Sequence, residues 1–135
     1  MKTINIASTE KSPKVFFDPR KHVFEMEGNS RPENVRDFYY PIIDTLRDYF
    51  EDIAEKQTRS ETNNAFNFNF KLEYFNSASA KFISDILVII RNGYDKGINM
   101  KVNWYFDEGD DDMKEVGEDF SEMISFPFSF IMVKR

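Results

Sequence analysis

The chain of 135 residues contains no cysteine and a single histidine. Without cysteine there is no disulfide framework, no thiol catalysis and no thiolate-held metal, a composition suited to a reducing cytoplasm. Met1–Ile6 lacks the apolar run of a signal peptide, so the expected location is cytoplasmic. The histidine, His22, lies in a turn-rich stretch with no nucleophile pattern beside it, and no general-base role is assigned to it. Five glycines, at 28, 93, 97, 109 and 117, form no phosphate-cradling loop, which gives no support to a nucleotide-binding fold or a kinase. The longest apolar run, Ile86 to Ile90, is far short of a membrane span. Positive charge is also scarce: 18 basic residues face 24 acidic ones, for a net charge of −6. Such a surface repels phosphate backbones, so no nucleic-acid partner is expected.

What the chain does have is phenylalanine, fifteen of them, enough for an aromatic-rich core in one domain of this length. Phe66, Phe68, Phe70, Leu72 and Tyr74 alternate with Asn67, Asn69, Lys71 and Glu73, the period of two of a strand with one apolar and one polar face. Ile83, Ile86, Leu87 and Ile90 then recur at helical spacing. The period changes at Asn76-Ser77, where a strand hands over to a helix running from about Ala78 to Asn92 and stopping at Gly93. Asn76 and Ser77 are both suited to cap that helix. A hydroxyl there sits at the positive end of the helix dipole, where a phosphate would be stabilised by unpaired N–H groups.

The rest of the chain falls into place around this turn. Residues 1–12 read as a loose arm, with Ile4 and Ile6 available for an edge strand. Lys14–Asp18 and Val23–Glu27 form a hairpin through Asp18-Pro19-Arg20-Lys21. In Gly28-Asn29-Ser30-Arg31-Pro32-Glu33, Asn29 or Ser30 can cap a helix with Pro32 in its first turn. An apolar stripe from Val35 to Ile53 predicts that helix to about Ala54, bent near Pro41, with a polar loop from Glu55 to Asn64 behind it. Ile98 to Phe106 alternates again, which makes a βαβ unit with two parallel strands. Trp104 is read as a core or sheet-face residue, with Tyr105 on the opposite face. A third helix carries Met113, Val116, Phe120 and Met123 on one side, and Phe126–Val133 is a last strand with Pro127 at its start or edge.

Asp107-Glu108-Gly109-Asp110-Asp111-Asp112 invites a metal reading but fails the calcium-loop pattern. Counted from Asp107, the third position is Gly109 and the sixth, which should be glycine, is Asp112. A solvated loop with N-cap charges accounts for it, and no metal or cofactor is assigned. Strands that alternate, instead of running continuously apolar, imply a sheet covered on one face. The expected fold is therefore α/β, a mixed sheet of four to six strands with about three helices packed mainly on one side.

Tyr74-Phe75-Asn76-Ser77-Ala78-Ser79-Ala80-Lys81 resembles the signature of the SiaC family of bacterial regulatory phosphoproteins. Three more segments agree in order: Gly28–Asn34, Val102–Asp107, and Gly117-Glu118-Asp119-Phe120 followed by Pro127-Phe128. The resemblance implies a fold like that of the sulfate-transporter and anti-sigma-antagonist (STAS) domain. It also implies a non-enzymatic switch whose phosphoacceptor directly follows the Asn of the motif, which is Ser77 here, with Ser79 as second choice. Asn76, Ser79 and Tyr74 are then supporting or partner-contacting residues. The implied partners are a dedicated Ser/Thr kinase, a PP2C-type metal-dependent phosphatase, and a diguanylate cyclase activated by the unphosphorylated form, which links the protein to cyclic di-GMP and biofilm formation. Two alternatives are an anti-sigma-factor antagonist using the same serine and a small-ligand or metal-binding domain using the Asp107–Asp112 loop.

Overall fold

The computed structural model describes residues 2–56 and 64–134. They form six strands and three helices in the order β1 (Ile4–Ile6), β2 (Lys14–Asp18), β3 (Val23–Ser30), α1 (Val35–Lys56), β4 (Phe66–Phe75), α2 (Ser77–Asp95), β5 (Met100–Asp107), α3 (Asp111–Met123) and β6 (Ser129–Val133). The strands make one mixed sheet in sequence order. β1, β2 and β3 are antiparallel neighbours, and β3, β4, β5 and β6 are parallel.

The alternation predicted from sequence decides which face is covered. Val15, Phe17, Phe24, Phe68, Phe70 and Trp104 are fully buried on one side. The helices lie against that side. Tyr49 and Phe50 of α1 meet Phe17 and Phe66, Gly93 of α2 abuts Met100, and Phe120 of α3 meets Trp104 edge-on at 5.7 Å. A methyl group on Gly117 would come within 2.5 Å of the Trp104 ring, so α3 rests flush on the indole, whose Nε1–H donates to the Met113 carbonyl at 2.9 Å. Among the described residues, no helix lies on the other face. There the Asn103 amide donates to Asn67 and Asn69 at 3.2 and 2.8 Å, Glu25 pairs with Lys14 and Lys71, and Lys71 lies over the half-buried Tyr105.

Several boundaries differ from those expected. β3 continues through Asn29 to Ser30, so neither residue caps α1. The cap is Asn34, whose side chain accepts from the Asp37 N–H at 3.3 Å and donates to its carboxylate at 2.7 Å. α1 is one helix through Pro41, as expected, with that proline on its exposed side, and it ends at Lys56 instead of about Ala54. α2 does not stop at Gly93 but runs on to Asp95. That glycine is buried where the helix meets Met100, and the chain turns instead at Gly97, with φ +95°. Pro127 precedes β6, which begins only at Ser129. Most of the expected loop from Glu55 to Asn64 lies outside the described residues.

Candidate functional site

The parallel strands β3 and β4 end side by side, with Ser30 opposite Phe75. Just before that end the register shifts: Gly28 faces Leu72, Asn29 faces Tyr74, and Glu73 is the extra residue. Such a bulge re-aims the residues beyond it. Tyr74 is 50 % exposed although its alternation partners Phe70 and Leu72 are buried.

The chain then changes from strand to helix within one residue. Asn76 holds an extended backbone (φ −85°, ψ 173°), and its side chain accepts from the Ser79 N–H at 2.9 Å. Its carbonyl takes the first helical bond, from Ala80 at 2.9 Å. Asn76 is thus the cap and Ser77 the first helical residue. Ser77 is exposed, and its hydroxyl has no hydrogen-bond partner among the described residues. No acidic residue occupies the first turn of α2, whereas α1 has Asp37 there and α3 has Asp111 and Asp112. The positive end of the α2 dipole is therefore free of the carboxylates that commonly answer it.

Ser79 faces the other way. It is fully buried, its hydroxyl donates to the Ser30 carbonyl at 3.0 Å, and its oxygen accepts from the Ser30 hydroxyl at 2.8 Å. The Ser30 oxygen also bonds to the Tyr39 hydroxyl of α1, and the Tyr39 ring stacks on Phe82 of α2 at 5.4 Å. Burial pushes the Tyr39 phenol pKa up, partly offset by its bonds to the Ser30 and Ser79 hydroxyls. The Ser79 hydroxyl is thus enclosed, whereas that of Ser77 is open to solvent. Ser30 and Tyr39 were not singled out from sequence as site residues. The one signal for Ser30 is its place in Gly28-Asn29-Ser30-Arg31-Pro32, part of a segment that resembles the SiaC family, where its hydroxyl reads equally well as a cap.

The remaining candidates lie elsewhere. His22, at the start of β3 and so at its far end from Ser30, stacks on Phe66 at 4.3 Å and takes φ +55° in the hairpin turn. In the acidic loop, Asp110 caps α3 by accepting from the Met113 N–H at 3.0 Å. Among the described residues, no group of three or more His, Asp or Glu side chains is placed to hold a metal. A groove of about 530 Å³ lies between Lys14, Lys71, Glu73, Tyr105 and Asp107, and does not include Asn76 or Ser77. No helix among the described residues is long and apolar enough to cross a membrane.

Comparison with known proteins turns this geometry into a family assignment. Residues 6–133 match the model of the SiaC family regulatory phosphoprotein. The chain belongs to the SiaC family. An uncharacterized protein of Pseudomonas aeruginosa (strain UCBPP-PA14) is 27 % identical over 129 residues, covering 96 % of this chain and 95 % of its own. Among solved structures, apo-SiaC from Pseudomonas aeruginosa superposes with a TM-score of 0.80 at 24 % identity, over 97 % of this chain and 99 % of that one. A chain of the crystal structure of the diguanylate cyclase SiaD in complex with its activator SiaC gives 0.82 at 24 %, over 96 % and 99 %. The SiaC fold is thus shared across nearly the whole length, and the mixed sheet with its three helices is the fold expected from the alternation.

Proposed function

We propose that this SiaC-family chain is a binding protein without catalytic activity of its own, switched by phosphorylation at Ser77. One observation carries the reading: Ser77 is exposed, its hydroxyl has no hydrogen-bond partner among the described residues, and it is the first residue of a 19-residue helix whose first turn holds no carboxylate. A phosphate there adds about 1.5 to 2 negative charges, which the free N–H groups and the dipole stabilise. The same charge opposes any interface fitted to a neutral hydroxyl, through desolvation and like-charge repulsion. Ser79, sealed beneath the turn, offers no comparable access.

By likeness to the SiaC that activates SiaD, the output partner of the unphosphorylated form is a diguanylate cyclase. Tyr74, half exposed three residues before Ser77, and the cap Asn76 belong to the contact surface. A Ser/Thr kinase and a PP2C-type phosphatase complete the cycle. The test is the affinity for the host's diguanylate cyclase of the wild-type chain, Ser77→Ala and Ser77→Asp. Ser77→Ala should bind as the wild type does and Ser77→Asp at least about tenfold more weakly, a loss of about 1.4 kcal/mol. Equal binding by all three forms removes Ser77 from the switch, and binding instead to a sigma-sequestering kinase points to an anti-sigma antagonist.

A further inference from the structure

We infer that Ser30, Ser79 and Tyr39 form a buried hydroxyl chain whose role is to position the Ser77 hydroxyl for its modifying enzymes; this rests on the reading of Ser77 as the phosphoacceptor. The Ser77 side chain has no bond of its own among the described residues, so its place is inherited from the backbone of residues 76–79. That backbone is tied at several points to one residue of β3. The Ser30 carbonyl accepts both the Asn76 N–H and the Ser79 hydroxyl, each at 3.0 Å. The Ser30 hydroxyl donates to Ser79, and the Tyr39 hydroxyl closes the chain on Ser30 from α1. The N–H of Ser79 is held in turn by the Asn76 side chain. Three elements, β3, α1 and α2, therefore meet through hydroxyls directly under the exposed serine.

Packing alone does not call for this arrangement. Ser30 and Ser79 are both fully buried, and alanine would fill nearly the same space without a polar group to satisfy. The hydroxyls add direction. With both acceptor sites of the Ser30 carbonyl engaged, the first turn of α2 is fixed relative to the end of β3. Phosphoryl transfer needs the attacking oxygen in line with the phosphorus, and a misplacement of about 1 Å costs on the order of a hundredfold in rate. Tyr39, Ser30 and Ser79 touch neither ATP nor the reacting oxygen; they act through residues 76 and 77.

The experiment compares Ser77 phosphorylation of the wild type, Tyr39→Phe, Ser79→Ala and a control, Ile83→Val, using ATP and the host kinase fraction that modifies the wild-type chain. Ile83 is a buried α2 residue outside the hydroxyl chain, and its variant loses stability without losing a hydroxyl. Tyr39→Phe keeps the ring that stacks on Phe82, so it stays folded even where Ser79→Ala does not. The expected result is a kcat lower by about tenfold or more for the hydroxyl variants, with KM and the control's kcat each within about twofold of the wild type. Unchanged kcat in the folded hydroxyl variants overturns the positioning role and leaves the Ser77 switch standing, as does an equal drop in Ile83→Val. A wild-type chain that takes no phosphate at Ser77 overturns both.

Discussion

The Ser79 hydroxyl donates to the carbonyl oxygen of Ser30, forty-nine residues earlier in the chain, at 3.0 Å. That bond, with the one from the Asn76 N–H to the same carbonyl, joins the end of β3 to the mouth of α2. Ser77 faces solvent there, and Ser79 is buried beneath it.

The cap beneath that turn has a measurable share of stability. Asn76→Ala removes the acceptor of the Ser79 N–H and is expected to cost about 1 kcal/mol. Urea unfolding should show a lower midpoint with an unchanged slope, because the loss is local and the surface exposed on unfolding stays the same.

Ser77→Asp should shift stability the other way. A carboxylate on the first helical residue, where α2 has none, is expected to stabilise the fold by about 0.3–1 kcal/mol at low ionic strength. The gain should shrink as salt is added. A destabilised Ser77→Asp would mean that the helix mouth does not accept negative charge, and a phosphate there would be unfavourable as well.

Gly117→Ala tests how tightly α3 lies on Trp104. The added methyl would meet the indole at 2.5 Å, and a buried indole held by its own hydrogen bond has little room to move. The expected cost is about 1–3 kcal/mol by overpacking, read as a lower Tm. Gly93→Ala would clash with the flexible end of Met100, at 2.4 Å, with Ile98 at an ordinary 3.6 Å, and should cost less.

Much of this layout is legible in the sequence because it is local. Phe66 to Tyr74 shows the strand and its covered face, and Ile83 to Ile90 shows the helix that follows. Asn76, a short polar residue at the change of period, marks the cap. Ser30 is not legible in this way. Its Gly-Asn-Ser-Arg-Pro setting satisfies every local rule for a helix cap, yet its hydroxyl and carbonyl are claimed by partners in α1 and α2. Only the parallel pairing of β3 with β4 brings Ser30 beside the later turn. Gly93 misleads for a similar reason: a helix stop and a close helix-to-strand approach both ask for glycine, and the choice is made by Met100 on the next strand.

Alkaline pH should expose the buried phenol. Burial raises the Tyr39 pKa above its unfolded value of about 10, so the folded state keeps a proton that the unfolded state gives up. Stability is then fully present below about pH 10 and is lost as pH rises through the folded pKa. The half-buried Tyr49 is raised too, by burial and by the nearby Asp52, and adds to the same decline. Chemical denaturation from pH 8 to 11 should give a shallower fall for Tyr39→Phe than for the wild type.

The central claim is tested most directly by mass spectrometry of the protein isolated from its native cells, with the modified residue located by peptide fragmentation. The account predicts a population carrying one phosphate, on Ser77, with Ser79 unmodified. Phosphate on Ser79 or at another position, or a chain that stays unphosphorylated even when its kinase is active, would contradict it.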